Sequence, residues 1–394
     1  MSNKQNNILI LLIGSIVAIG PLTIDMYLPG FLNIAKDLGV SEHKISYTLT
    51  SYFFGISIGQ LFYGPILDRY GRKTPLLIGL SIYVVASICI ALSPTIEFFI
   101  VLRFIQALGA SSGIVASFAI IRDKFNSTEA AKVLSSVILV MGVAPIIAPT
   151  MGSFISESYG WRYIFYFLAA FALFVIVCLH FFLTRIKKSD LSSDFRLVPI
   201  LKNYWLTLKN KQFLFYNLSG SFAMAIMFTY ISSIAYILLN IYGVSTQAFS
   251  LLFALNAFGF IMGGQVNRFL LKRFTPVKIT YVAATFTILF SLAFLITASV
   301  TALSLPMFSG FLVLILFTTG FVNPNSTALS LNVIQKNIGL ASALNGSLRM
   351  ILGAVVSVII GMINSTTVFT MIYFMLGLSI CALVFIRLAD RKQT

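Results

Sequence analysis

The chain has 394 residues, 58% of them hydrophobic and only 10% charged, whereas a soluble domain is nearer a quarter charged. That balance predicts an all-α membrane protein with many spans and excludes an ordinary soluble enzyme. The formal net charge of +16 does not point to nucleic acid, because the basic residues sit in short loops between apolar runs, where they set topology.

Twelve apolar runs of spanning length follow one another, at about 8–29, 45–64, 75–93, 96–118, 132–155, 162–184, 213–239, 247–266, 279–298, 302–323, 339–362 and 367–387. The first is too long for the core of a signal peptide and predicts a retained span. Of the 27 basic residues, 22 fall in loops that alternate onto one side; Lys36, Lys44 and Arg162 fall on the other, and Arg103 and Arg349 lie inside spans. Basic loops stay in the cytoplasm, so an even number of spans puts both termini there. The basic stretch 185–212 divides the chain into a six-helix half, 1–184, and a second, 213–394. Within 195–210, Phe195, Val198, Leu201, Tyr204, Trp205 and Leu208 admit two readings: a surface amphipathic helix, or a plain linker touching lipid headgroups. The three cysteines lie in apolar runs with no metal or redox spacing, so no cofactor and no metal are expected.

Between the second and third runs lies Gly64-Pro65-Ile66-Leu67-Asp68-Arg69-Tyr70-Gly71-Arg72-Lys73, which reads as a charged, glycine-bracketed turn outside the lipid. The stretch resembles the loop between spans 2 and 3 of the major facilitator superfamily, Gly-x-x-x-Asp-Arg-x-Gly-Arg-Lys/Arg, matched at Gly64, Asp68, Arg69, Gly71, Arg72 and Lys73. The resemblance implies a gating latch in which Asp68 and Arg72 join Asp123, at the inner end of span 4, with Asp68 at the N-terminus of span 11. A degenerate second copy, Gly263-Gly264-Gln265-Val266-Asn267-Arg268 followed by Lys272-Arg273, falls between spans 8 and 9. Asn267 stands where Asp68 stands in the first. Two pseudo-symmetric six-helix halves imply a transporter with a central site exposed alternately to each side.

Asp25 lies in span 1, within Pro21-Leu22-Thr23-Ile24-Asp25-Met26-Tyr27-Leu28-Pro29. A charge at the bilayer centre costs about 2.5–3.5 kcal/mol on insertion scales. Asp25 therefore either sits near enough to the outer interface to hydrate or has a function. Arg103 enters span 4 from the same side to a similar depth, and a pair between them would lower the cost of both. An arginine does not release its proton at physiological pH, which leaves Asp25 as the carrier. Arg103-Phe104-Ile105-Gln106-Ala107-Leu108-Gly109 resembles the superfamily's span-4 pattern, Arg-x-x-Gln-Gly/Ala-x-Gly. In relatives that exchange protons for drugs this arginine is implicated in coupling, and Gln106 lies one turn further in on the same face.

Gly142-Val143-Ala144-Pro145-Ile146-Ile147-Ala148-Pro149-Thr150-Met151-Gly152 in span 5 resembles the exporter pattern Gly-x-x-x-Gly-Pro-x-x-Gly-Gly, with departures at Ala144 and Pro149. Close packing through small residues is the other explanation of that run. The segments around Asp25, Phe228–Ser232, Asn256 and Asn323–Leu329 look like the Bcr/CflA drug-resistance subfamily, over essentially the whole chain. This resemblance implies proton-driven export of small molecules such as drugs, by a monomer in the bilayer of a bacterial inner membrane. Asp25, Tyr27, Gln106, Tyr230, Asn256 and Arg349 are the candidate substrate contacts, and Tyr236 is placed near them. Arg349 has no second acid in a span to pair with, so two arginines face one aspartate. The alternative that follows is a dedicated exporter of an anionic metabolite or siderophore. Arg349 could equally satisfy backbone carbonyls or serve coupling. His180 reads as an interface residue and His43 as a loop residue. With two histidines and one acid in the spans, the chain lacks the groups of an intramembrane enzyme.

Overall fold

The computed structural model describes residues 3–125, 127–183, 197–334, 338–363 and 367–391, and every regular element among them is helical. Lipid supplies no hydrogen bonds, so a spanning chain must satisfy its backbone internally, as a helix does. The chain forms two compact units, residues 1–200 and 201–394.

The first unit holds α1 (Asn3–Asp25), α2 (Phe31–Asp37), α3 (Glu42–Tyr70), α4 (Lys73–Ala91), α5 (Ile96–Lys124), α6 (Ser127–Ser158) and α7 (Arg162–Phe182). The second holds α9 (Lys211–Tyr236), α10 (Thr246–Leu270), α11 (Pro276–Val300), α12 (Leu305–Asn332), α13 (Ile338–Met362) and α14 (Val368–Asp390). Helix α8 (Leu197–Lys209) precedes them. Thr95, Asn210, Ser245, Thr275 and Thr367 each accept a backbone N–H of the following turn, which fixes where five of these helices begin.

Eleven helical segments among the described residues are long and apolar enough to cross a membrane. The twelfth expected span is α3, 29 residues long. Its apolar character is diluted by Ser46, Thr48, Thr50, Tyr52, Ser57 and Gln60, all of them buried. Polar groups turned inward leave the lipid face apolar. Exposed Phe154, Phe174 and Phe181 in the first unit and Leu251, Phe269 and Ile296 in the second form such faces.

Four expectations need correction. The Gly64–Lys73 stretch is not a loop: α3 runs through Asp68 to Tyr70, and only Gly71 and Arg72 lie between α3 and α4. A 29-residue helix is about 44 Å long and outreaches a hydrocarbon core of about 30 Å, so its charged last turns meet water while still helical. Gly71 ends it with φ +80°, a conformation that suits glycine. For the same reason Gly263–Asn267 lies inside α10 and Asn323–Leu329 inside α12. Residues 197–209 of the expected linker are helical, with Tyr204 buried and Leu201 and Trp205 exposed, which is the amphipathic reading. Span 1 does not end near residue 29. It continues to Asp37 through a break: α1 stops at Asp25, a 3₁₀ turn covers Leu28–Gly30, and α2 resumes at Phe31.

Helix α6 packs on that break. A Cβ on Gly152 would collide with the Met26 carbonyl, and one on Gly30 would come within 3.3 Å of Ser156 Oγ. The glycines let the two backbones meet where α1 has lost its regular bonds. Small residues serve the same purpose where α3 crosses α5, since a Cβ on Gly55 would stand 2.6 Å from Phe104 O, and where α10 crosses α12, since one on Gly320 would stand 3.1 Å from Gly264 N.

Candidate functional site

The break in α1 leaves Thr23 O without its helical donor. Met26 N bonds Leu22 O and Gly30 N bonds Tyr27 O, and no backbone N–H among the described residues outside the helices bonds Thr23 O. Arg103 from α5 takes that place. Its Nη1 and Nη2 both donate to Thr23 O at 3.4 Å, and Nη1 donates to Gln106 Oε1 at 2.7 Å. The guanidinium lies 4.4 Å from the ring centroids of both Tyr27 and Tyr52 and 5.9 Å from that of Phe165. It is completely buried. A desolvated cation is costly without compensation, and here the compensation is a carbonyl, an amide and aromatic faces, each cation–π contact adding about 0.5–2 kcal/mol.

A second layer holds the first. Gln106 Nε2 donates to Ser87 Oγ at 2.8 Å, and Ser87 Oγ donates to Tyr83 O at 2.7 Å. The Tyr83 hydroxyl meets Thr23 Oγ1 at 2.6 Å, and the Tyr27 hydroxyl meets Thr48 Oγ1 at 3.2 Å. Five helices, α1, α3, α4, α5 and α7, thus contribute to one buried cluster.

Asp25 is 4% exposed. The expected ion pair with Arg103 is not formed: no cation lies within ion-pair distance of Asp25 among the described residues. Arg103 instead bonds the Thr23 carbonyl and lies over the Tyr27 ring, the residues two before and two after Asp25. Tyr27, expected as a substrate contact, is fully buried beneath Arg103.

Arg72 stands between two carboxylates, with Nη1 2.7 Å from Asp68 Oδ1 and Nε 2.8 Å from Asp123 Oδ2. Burial pulls the Arg72 guanidinium down, but hydrogen bonds and charge from Asp123 and Asp68 outweigh it and hold it above its ordinary value. Arg122 adds a bond to Asp123 at 3.3 Å. Lys73 Nζ donates to His180 O at 2.7 Å, where basic groups satisfy a helix end. Arg69 lies 5.3 Å over the Tyr70 ring. Gly64 faces open space. In α6, Pro149 is buried and Gly142 and Pro145 are half-buried.

In the second unit Asn256 Nδ2 donates to the Tyr230 hydroxyl at 3.3 Å, and the Tyr230 ring lies tilted against Phe253, centroids 5.4 Å apart. Tyr236 is half-buried. Arg349 is not joined to that pair. It donates to Asn323 Oδ1 through Nη1 and to Asn323 O through Nη2 at 3.4 Å. The degenerate repeat is also a contact: Asn267 and Asn325 exchange amide bonds of 3.2 and 2.9 Å, both residues buried. Sequence reasoning missed Tyr52, Tyr83 and Ser87, and it marked Asn323 and Asn325 only as part of a resembling segment, without their partners. The polar residues inside α3 and α4 were the available signal.

The family model of the Major Facilitator Superfamily matches residues 11–358. The chain belongs to the major facilitator superfamily. It is 29% identical over 375 residues to a bicyclomycin resistance protein homolog of Haemophilus influenzae, covering 94% of this chain and 93% of the relative. It is 33% identical over 371 residues to the MFS-type transporter YdgK of Bacillus subtilis, covering 93% and 91%. In fold it is similar to a bacterial homolog of the human lysosomal transporter Spinster, with TM-score 0.76, 16% identity and coverage of 99% and 98%. This superfamily member is a multi-pass membrane transporter of small molecules and not an enzyme, and its sequence relatives bear out the Bcr/CflA-like resemblance.

Proposed function

We propose that this transporter exports small molecules, drugs among them, from a bacterial cytoplasm in exchange for protons, by alternating access, as a monomer with both termini inside. The observation that carries the reading is the broken first span with a buried, unpaired carboxyl at its edge and a buried arginine gripping the break. The resistance role carried in the name of the Haemophilus relative supports drugs as a substrate class.

Asp25 carries the proton. Arg103 does not neutralise it; it holds Thr23 O and the Tyr27 ring, and so fixes the backbone on either side of the acid. A charge on Asp25 would be favoured by an opening to water and its neutral form by closure around it. Each protonation change then biases the geometry of the break, and α6, seated on Met26, moves with it. Substrate loading on the inner side releases the proton there. One charge crossing 100 mV is worth about 2.3 kcal/mol and one pH unit about 1.4 kcal/mol, enough together for a gradient of several hundredfold per proton.

The test uses everted membrane vesicles, acid inside, with lumenal pH read by a quenched dye. Bicyclomycin and chloramphenicol should release quenching with the wild type and not with Asp25→Asn. Full gradient-driven export by Asp25→Asn would overturn the assignment.

A further inference from the structure

Arg349 lies in the middle of α13, about 17 Å from one end and about 20 Å from the other. No carboxylate lies within ion-pair distance of it among the described residues. Its Nη atoms are occupied by Asn323, while its Nε is buried without a hydrogen-bond partner. The second unit makes room for it: a Cβ on Gly220 of α9 would stand 2.7 Å from Nη2 and 2.8 Å from Ser326 Cβ. Glycine is therefore what lets α9 and α12 close around the guanidinium.

Two further buried donors, Ser326 beside Gly220 and Asn217 one turn before it on α9, lack a partner. Ser326 and Asn217 are both fully buried, and Ser326 Oγ and Asn217 Nδ2 have no partner. Asn217 is three residues before Gly220, on the same face of α9. Its Oδ1 already accepts from Ser221 at 3.1 Å, which leaves its amide hydrogens. All three unsatisfied groups can donate, and one carries charge. Leaving a buried donor unpaired costs about 1–3 kcal/mol. A neutral carbonyl could take one of these hydrogens but would leave the charge uncompensated.

We infer that Arg349, Ser326 and Asn217 form a subsite for a carboxylate group of the transported molecule, held within the second unit. A carboxylate has two oxygens and about four lone-pair sites, enough to accept from Arg349 Nε–H, Ser326 Oγ–H and Asn217 Nδ2–H together, and it cancels the guanidinium charge. Substrates that bear an organic carboxylate are the class it selects. This rests on the transporter reading for its purpose and not for its chemistry, so binding and transport are read separately.

The purified full-length protein would be melted in detergent with citrate and with benzoate as probes, against chloride and sulfate at matched ionic strength. At least one carboxylate should raise the Tm of the wild type while the inorganic ions do not. Arg349→Gln and, as a milder change, Ser326→Ala should each weaken its binding by at least about tenfold. No stabilisation by either carboxylate, equal stabilisation by chloride or sulfate, or unchanged affinity in both variants would overturn the subsite. In everted vesicles, Arg349→Gln should reduce proton release driven by the carboxylate by at least about tenfold more than that driven by neutral bicyclomycin. Equal loss of both in a variant of normal Tm would assign Arg349 to coupling and overturn the proposal. Vesicles silent to every compound would fail the proton-export reading, with the melting experiment still deciding the subsite.

Discussion

A guanidinium buried against a freed carbonyl and two tyrosine rings is held by shape as much as by charge. Lysine offers a compact ammonium that cannot reach Thr23 O, Gln106 and two ring faces at once. Arg103→Lys should therefore fold and still lose transport by at least about tenfold, from cation–π and hydrogen-bond losses of about 1.5–3 kcal/mol; the vesicle assay above measures it. Tyr52→Phe keeps the ring and should retain most activity, whereas Tyr52→Leu should not. The sequence made Arg103 and Gln106 visible by their spacing on one face of a helix. It made Tyr27 visible only as an aromatic near the acid and gave no hint of Tyr52, because nothing in a lone tyrosine of an apolar run tells which cation it faces. The expected Asp25–Arg103 pair failed for a related reason. Equal depth in the membrane is legible from residue counts, whereas the backbone carbonyl that a break just after Asp25 frees for Arg103 is not.

Among the elements, the interrupted first span governs its neighbours. The run of small residues in span 5 admits a close approach, but the sequence does not say that a break in the first span receives it. Gly152→Ala places a methyl group against the Met26 carbonyl and should cost about 1–3 kcal/mol of stability by overpacking, seen as a lower Tm. Gly64→Ala, which meets open space, should leave Tm unchanged. The end of α3 reads as a loop in the sequence because charge density marks loops, whereas a helix that outreaches the bilayer carries charge on its final turns. Arg72 is held above its ordinary pKa, so its share of the clasp is fully present below that value and lost only as pH rises beyond it. The Tm difference between wild type and Arg72→Ala attributable to Arg72 ionisation should therefore be flat between about pH 6 and 9.

For the whole molecule, eleven of the expected spans are long, apolar helices among the described residues, α3 is the polar-lined exception, and the chain divides into two compact units. If the excess of basic residues on one side sets orientation, fluorescent protein fused to either terminus should fold and glow in the cytoplasm; a dark fusion at one end alone would break the even-span reading. The repeat was legible at Gly263 and Asn267, and its loss of charge read as decay. The structure gives that loss a form of its own. Where the first unit joins its helices through ions, the second joins α10 to α12 through two reciprocal amides, Asn267 and Asn325. Dissolved salt screens the exposed Asp68 side of the ionic clasp, reaches the buried Arg72 less, and leaves the paired amides nearly untouched. The two halves thus answer to different features of the cytoplasm, one to its ions and the other hardly at all.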